Sequence, residues 1–325
     1  MWKYTNTKEC NEFLLSLNLW NCKEEKKYIK TLYSLSNQIE KNYRIKKIKK
    51  KNGKTRTLYE PTPLLKHIQR KILENILEKR KVSTYAKAYQ KGISLKENAK
   101  PHVKKDSILK LDIKNFFDNI TLMNVYTSSF PIEYFPPPVG MLLTKLCTYK
   151  DYLPQGAPTS SYISNLVMKE FDEAIGTFCE EKNISYTRYS DDMTFSGNFL
   201  VNDVIKKVKQ ELQKLNLKLN NNKIHRIRKS ANQNITGLTV NEKIQVNKKY
   251  RSKIRQEIYY IQKYGLKSHL EKLNIETKEN IYLRRLYGKI TYVLQINHND
   301  KEFKNYKKII EKEIKNENKR ENLIQ

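Results

Sequence analysis

Apolar and polar positions along this chain alternate between two spacings, about 3.6 residues and two, and the switches between them mark out its elements. Helical spacing predicts two helices between residues 8 and 43, the second with Ile29, Leu32, Leu35 and Ile39 on one face. Residues 43–48, the Asn52-Gly53 turn signal and residues 55–59 predict a β-hairpin. A long helix is expected over 61–81, striped by Leu65, Ile68, Ile72 and Ile76, and a shorter one over about 94–103. Period two takes over at 107–113, where Leu109, Leu111 and Ile113 face one way and Ile108, Lys110 and Asp112 the other, as in a half-buried strand. A loop punctuated by Pro and Gly, 153–161, runs into a helix over 162–178. Strand-like runs at 184–188 and 193–196 flank Tyr189-Ser190-Asp191-Asp192 and predict a hairpin with that tetrapeptide at its tip. A helix over 204–215, with Ile205, Val208, Leu212 and Leu215, precedes a strand-like run over 217–225 through Asn220, Asn221, Asn222 and Lys223. Beyond 247 the pattern is helical at 250–264, 279–296 and 303–313, and the polar tail from 315 is expected to fray.

Charge adds a partner to this outline. Lys and Arg number 64 against 34 Asp and Glu, a formal net charge of +30 at pH 7, which calls for a polyanion such as nucleic acid. Lys46, Lys47, Lys49, Lys50, Lys51, Lys54 and Arg56 load the first hairpin, a pattern that a solvated edge would also show. Lys249, Arg251, Lys253, Arg255, Lys263, Arg284 and Arg285 load the C-terminal helices, with Tyr259 and Tyr260 available for stacking or packing. At 325 residues there is room for two or three subdomains. Cys10, Cys22, Cys147 and Cys179 show no close pairing, so neither a zinc site nor a disulfide framework is expected. No run approaches ~18 apolar residues and no short apolar leader is present, so the chain is read as cytoplasmic, without a membrane partner.

The candidate chemistry lies in the acids. Asp191 and Asp192 sit at a predicted hairpin tip and Asp112 at a predicted strand end, although acids at turns are also common for local hydrogen-bonding reasons. Phosphoryl transfer to a nucleic-acid hydroxyl needs two Mg²⁺ ions roughly 3.5–4 Å apart, held by hard oxygen ligands. Asp112 and Asp191 would supply that clamp, with Ile113 beside Asp112 counted in the metal set and Asp192 able to ligate or tune it. The loop 153–161 enters a helix, where free backbone N–H groups can meet a phosphate or a template base.

Three segments in order, Asp112-Ile113-Lys114-Asn115-Phe116-Phe117, Gln155-Gly156-Ala157-Pro158-Thr159-Ser160 and Tyr189-Ser190-Asp191-Asp192, resemble the palm motifs of reverse transcriptases. Asn98-Ala99-Lys100-Pro101-His102 and Ile235-Thr236-Gly237-Leu238 are similar to two further segments of the retron-type enzymes of bacteria, the second with Ile where Val is usual. The resemblance spans roughly 43–297. Ser190 stands where Ala is usual and Ser161 where Pro usually closes the Gln-Gly motif, and neither change removes a metal ligand.

The resemblance implies an α+β right hand: α/β fingers over 1–107 with a contribution from 124–155, a palm with a small antiparallel sheet over 108–123 and 156–246, and an α-helical thumb over 247–325. It implies RNA-directed DNA synthesis from dNTPs with two Mg²⁺ ions and with Asp112, Asp191 and Asp192 as catalytic residues. Lys54 or Arg56 would meet the triphosphate, Gln155 and Gly156 would line the substrate, and Phe117 would exclude ribonucleotides by abutting the sugar. Lys223 matches a lysine proposed to protonate the departing pyrophosphate. Asn98, His102, Thr236, Gly237, Arg251 and Arg255 would bind a dedicated structured non-coding RNA. Synthesis would start from an internal 2′-OH of that RNA to give a branched RNA–DNA product, in antiphage defence with a separately encoded effector. Two alternatives stay open: a bacterial defence or intron-derived reverse transcriptase that primes differently, and an RNA-binding scaffold with a vestigial site.

Overall fold

The computed structural model describes residues 6–49, 53, 55–274 and 277–324, with the side chains of 319–324 excepted. In chain order the elements are α1 (Thr7–Ser16), α2 (Glu25–Asn37), β1 (Tyr43–Lys49), β2 (Thr55–Pro61), α3 (Pro63–Asn75), α4 (Leu95–Ala99), β3 (Ser107–Asp112), α5 (Phe116–Asn119), α6 (Leu122–Ser129) and α7 (Pro137–Cys147). They continue as α8 (Ser160–Val167), α9 (Lys169–Glu181), β4 (Ser185–Tyr189), β5 (Asp192–Ser196), α10 (Val201–Lys214), β6 (His225–Arg228), β7 (Asn234–Ile235), β8 (Leu238–Thr239), β9 (Gln245–Val246), α11 (Lys248–Tyr264), α12 (Leu266–Lys272), α13 (Glu279–Ile296) and α14 (Lys301–Ile324). Helices and small antiparallel sheets thus share the chain, as the α+β expectation required. Among the described residues no helix is long and apolar enough to cross a membrane.

Backbone packing divides the chain into two compact units. The first comprises the chain up to Ser94 together with Ser107–Arg226. Its sheet runs β4-β5-β3-β6, with β6 at the edge where the chain leaves the unit. Leu109, Leu111, Met193 and Phe195 from β3 and β5 join Leu142, Leu143, Ile163, Phe171, Ile175, Val208 and Leu212 from the surrounding helices in one apolar core. The expectation of a half-buried β3 is corrected: Ile108, Leu109, Leu111 and Asp112 are all buried, so both faces of the strand are covered. An acid that ends such a strand needs a partner, because an isolated buried charge is costly. β1 and β2 pair antiparallel from Tyr43 opposite Pro61 to Lys49 opposite Thr55, while the Asn52 turn signal and Lys54 lie outside the described residues.

Several expected elements are subdivided. The helix expected over 61–81 begins at Pro63, because Pro61 closes β2, and ends at Asn75 before a short 3-10 turn at Leu77–Lys79. The single helix over 162–178 is two, α8 and α9, broken at Met168, whose ψ of 2° leaves the helical range. Apolar residues fill the same stripe on both sides of the break, which is why periodicity reads through it. The helix over 94–103 is the single turn α4 followed by a 3-10 turn at Lys100–His102 that contains Pro101. The run over 217–225 is not one strand: Leu219 bridges to Ile113, Asn221–Lys223 form a 3-10 turn, and β6 begins at His225. The tail does not fray at 315, since α14 continues to Ile324.

The second unit comprises Leu95–Asp106 and the chain from Ile227 onward. It holds the β7-β8-β9 sheet and α11–α14, around a core that includes Ile254, Ile258, Leu283, Leu286, Ile290, Val293, Phe303 and Ile310. Asn247 caps α11 by accepting from the Lys249 amide at 2.8 Å. Residues 227–246, expected in the palm, belong here because β8 packs on α4 and β9 on α13.

Candidate active site

Strand register assembles the acid site. Asp112 lies opposite Asp192 in the β3–β5 pair and Tyr189 lies opposite Asp192 in the β4–β5 pair, so Ser190 and Asp191 form a two-residue hairpin loop. A loop this short forces Ser190 to a left-handed φ of 62°, a conformation that costs a non-glycine residue roughly 1–2 kcal/mol. The Ile113 amide donates to the Asp191 carbonyl at 3.1 Å and ties the loop to the end of β3. Asp112, Asp191 and Asp192 thereby meet at one corner of the sheet.

Asp112 is nearly buried, its side chain 5% exposed, and both of its oxygens are engaged. Oδ1 accepts from Asn220 Nδ2 at 2.9 Å and Oδ2 accepts from Lys223 Nζ at 2.6 Å. The backbone delivers those partners: the Lys114 amide donates to Lys218, and the Asn220 amide donates to the Asp112 carbonyl at 2.8 Å. The hydrogen bond to Asp112 raises the Lys223 ammonium above the usual lysine range, so it stays protonated at neutral pH. Burial, reinforced by the Asp112 charge, raises the Asp191 carboxyl. Asp192 stands at the surface, yet desolvation by neighbouring chain, with the charges of Asp191 and Asp112, lifts its carboxyl to about 6.

Among the described residues no three His, Cys, Asp or Glu side chains stand in metal-holding geometry, and Asp112 turns to Lys223 and Asn220 instead. The donor set nevertheless fits a divalent cation. Its oxygens are hard ligands, and a cation would relieve the burial and mutual repulsion that raise two of the carboxyls.

The Ser at position 190 does more than replace a methyl. Its Oγ accepts from the Tyr89 hydroxyl at 3.1 Å, and its own hydrogen bond to Asp191 pulls that carboxyl down, against the effect of burial. Sequence reasoning missed Tyr89, Asn220 and a buried network of Arg188, Asp172 and Asn165. The available signal was a charged residue, Asp172, set within the apolar stripe of α9, and another, Arg188, within a core strand, one residue from its end.

The expected substrate residues are placed as follows. Gln155 and Gly156 lie against β2, where the Tyr59 amide donates to the Gln155 carbonyl at 2.7 Å. Gly156 has φ of 120°, and a Cβ there would stand 2.8 Å from the Tyr59 carbonyl oxygen, so only glycine allows the approach. Arg56 is exposed on β2, and Lys54 lies outside the described residues. Phe117 is half-buried, its ring 5.4 Å from that of Phe116.

In the second unit Asn98 Nδ2 donates to Thr236 Oγ1 at 3.3 Å, which brings the two retron-like segments together. Thr236 and Gly237 form the β7–β8 turn, with φ of 45° and 89°. Asn98 and His102 are buried, and desolvation lowers the His102 imidazole to about 3, so it is neutral. Asn98 supports the turn from inside, and neither residue offers an outer surface. Arg251 and Arg255 are committed within the unit: Arg251 Nη2 donates to Asp300 at 2.6 Å, Arg255 Nε donates to Glu302 at 2.6 Å, and both guanidinium groups lie over the Phe303 ring.

A sequence profile for "Reverse transcriptase (RNA-dependent DNA polymerase)" matches residues 48–240. Retron Ec86 reverse transcriptase of Escherichia coli is 31% identical over 240 residues, covering 72% of this chain and 74% of that protein. Retron Ec83 reverse transcriptase of Escherichia coli is 33% identical over 277 residues, covering 77% and 88%. Among solved structures, telomerase from Candida albicans in complex with a telomeric RNA fragment matches at a TM-score of 0.47 and 11% identity over 89% of this chain and 64% of that one, too weak a likeness to argue from. The chain belongs to the reverse transcriptases, and among them to the retron type. It is an RNA-directed DNA polymerase whose partners are an RNA template and nucleotides and whose chemistry depends on a divalent cation.

Proposed function

We propose that this enzyme reverse transcribes a dedicated structured non-coding RNA from an internal 2′-OH, giving a branched RNA–DNA molecule, with two Mg²⁺ ions at the corner formed by Asp112, Asp191 and Asp192. The observation that carries the reading is the meeting of three carboxylates and one protonated lysine at that corner. Bound there, the cations would acidify the attacking hydroxyl and neutralise the departing pyrophosphate. The hydroxyl oxygen bonds to the α-phosphorus of the dNTP, the bond to pyrophosphate breaks, and the hydroxyl proton passes to solvent.

The chain's own residues hold and select the reactants. Asp112, Asp191 and Asp192 supply the anionic cradle, and the Ile113 amide fixes the loop that carries two of them. Lys223, held protonated by Asp112, is the proton source for the leaving pyrophosphate. Phe117 leaves no volume for a ribose 2′-hydroxyl. Arg56 and Lys54 receive the triphosphate, while Gln155 and Gly156 position the base pair being formed.

Recognition of the cognate RNA is assigned to the Thr236-Gly237 turn, braced by Asn98. Duplex RNA exposes phosphates and 2′-OH groups and hides its base edges, so a turn with a hydroxyl donor and an open glycine suits it. The enzyme acts in the bacterial cytoplasm in antiphage defence, with a separate effector. The test exchanges Thr236 and Gly237 for bulky residues and offers two substrates: the structured RNA encoded beside the gene, and a plain RNA template with an annealed DNA primer. Loss on the first with retention on the second supports the assignment. Equal loss on both returns these residues to folding or to general primer grip.

A further inference from the structure

Arg188, on β4 one residue before the Tyr189-Ser190-Asp191-Asp192 tetrapeptide, is completely buried, and so is Asp172 on α9. The two form a fork: Nε donates to Asp172 Oδ1 at 2.8 Å and Nη2 to Oδ2 at 2.6 Å. Nη1 and Nη2 each reach Asn165 Oδ1 at 3.3 Å, and Nη1 also donates to the Ser190 carbonyl at 2.9 Å. A guanidinium carries five N–H donors, and these contacts give every one of them an acceptor. Asn165 is anchored in turn by donating to the Ala88 carbonyl at 2.8 Å, and Tyr186 donates to Asp172 at 2.9 Å.

One of these contacts reaches the catalytic loop. The Ser190 carbonyl shares a rigid peptide plane with the Asp191 amide, so fixing that oxygen fixes the backbone entering Asp191. The peptide leaving Asp191 is fixed on its other side by the Ile113 amide. Asp191 is therefore clamped at both flanking peptides, from the core by Arg188 and from β3 by Ile113. The loop needs such a clamp, because Ser190 is held at a φ that a serine avoids when unconstrained.

We propose that Arg188, with Asp172 and Asn165, is a positioning residue for the polymerase reaction: its guanidinium sets the angle at which the Asp191 carboxylate is presented to the divalent cation. The inference rests on the acid corner being the active site. Lysine cannot replace it, since an ammonium is a point charge without the planar fork. A core ion pair of purely structural value would be replaceable by apolar residues of similar volume.

The test compares wild type, Arg188→Lys and the double variant Arg188→Met with Asp172→Leu, in three measurements: urea unfolding, Mn²⁺ binding followed by electron paramagnetic resonance, and single-nucleotide extension over a range of Mg²⁺ and dNTP. Arg188→Lys keeps a charge for Asp172 and so keeps the fold even where the double variant does not. The proposal expects folded protein, Mn²⁺ binding about tenfold weaker, and kcat lower by roughly 100-fold, the loss that a misplacement of about 1 Å produces, with KM for dNTP little changed. Wild-type Mn²⁺ affinity and kcat in folded Arg188→Lys would overturn it and leave Arg188 a core ion pair. If Asp191→Asn abolishes extension while Arg188→Lys does not impair it, the active-site reading stands and only the positioning role falls.

Discussion

The acid corner of the first unit and the helices of the second are both rich in charge, yet charge means opposite things in the two places. At the corner three carboxylates face Lys223 and Lys110, and burial, together with that imbalance, raises the carboxyls of Asp191 and Asp192. In the helices Arg251 and Arg255 are matched by Asp300 and Glu302 at 2.6 Å and stacked on Phe303. A site that awaits a ligand keeps charge uncompensated. A site that holds a fold together spends its charge internally. Counting basic residues does not separate the two, but asking where each partner comes from does.

The comparison can be sharpened first at the corner, where a side chain chosen by its place after Asp112 should act on substrate. Phe117→Val is expected to relax discrimination against ribonucleotides by roughly 10- to 200-fold while dNTP use persists, measured by competing rNTP and dNTP in primer extension. Unchanged discrimination would make Phe117 a core residue only. In the helices the expectation inverts: Arg251→Gln should cost about 1–3 kcal/mol of stability in urea unfolding, because it strips a charged partner from Asp300. The salt dependence of RNA binding should barely change, whereas a slope lower by roughly 0.7 to 0.9 would show that Arg251 neutralises a phosphate.

A smaller effect tests the imbalance itself. With no cation added, the folded protein binds a proton at Asp192 below about pH 6, whereas the unfolded chain waits until the ordinary value of 3.8. The native state therefore carries a penalty above about pH 6 that is relieved as the pH falls towards 3.8. Asp192→Asn should stabilise the metal-free protein at pH 7.5 by about 1 kcal/mol, a figure already reduced for solvent screening at an exposed carboxylate, and the gap should be roughly halved at pH 5 and close as the pH falls below the ordinary value of 3.8. A variant no more stable than wild type would mean that the corner is already balanced. Smallest is Ser190→Ala, which removes the hydroxyl link from Tyr89 to Asp191 and should raise the Mg²⁺ needed for half-maximal rate by about fivefold or less.

The two regions also differed in how far sequence could reach them. Asp112, Asp191 and Asp192 were legible because strand ends and a tight turn fix side-chain direction locally, and the β3–β5 register then brought them together as the strand periods required. The partners of Asp112 were less so. Lys223 could be named from motif position, but Asn220 meets Asp112 only because the backbone after Leu217 runs back along β3, and no local pattern announces that. Arg188 and Asp172 stand 16 residues apart in sequence and are joined only by tertiary packing. The breaks at Asn75 and Met168 were hidden because a turn of irregular backbone can preserve an apolar stripe. In the second unit, basic spacing on α11 was visible, but Asp300 and Glu302 lie nearly fifty residues further on, so the neutralisation was not.

The most direct test of the account compares wild type with Asp191→Asn for two properties in parallel, Mg²⁺-dependent extension on a generic RNA template and RNA affinity at fixed salt. Loss of extension by on the order of 1,000-fold or more, with RNA affinity nearly intact, is the predicted result, because the substitution removes one charge from the cation cradle and leaves the shape. Extension at the wild-type rate would contradict it and move the active site elsewhere in the molecule.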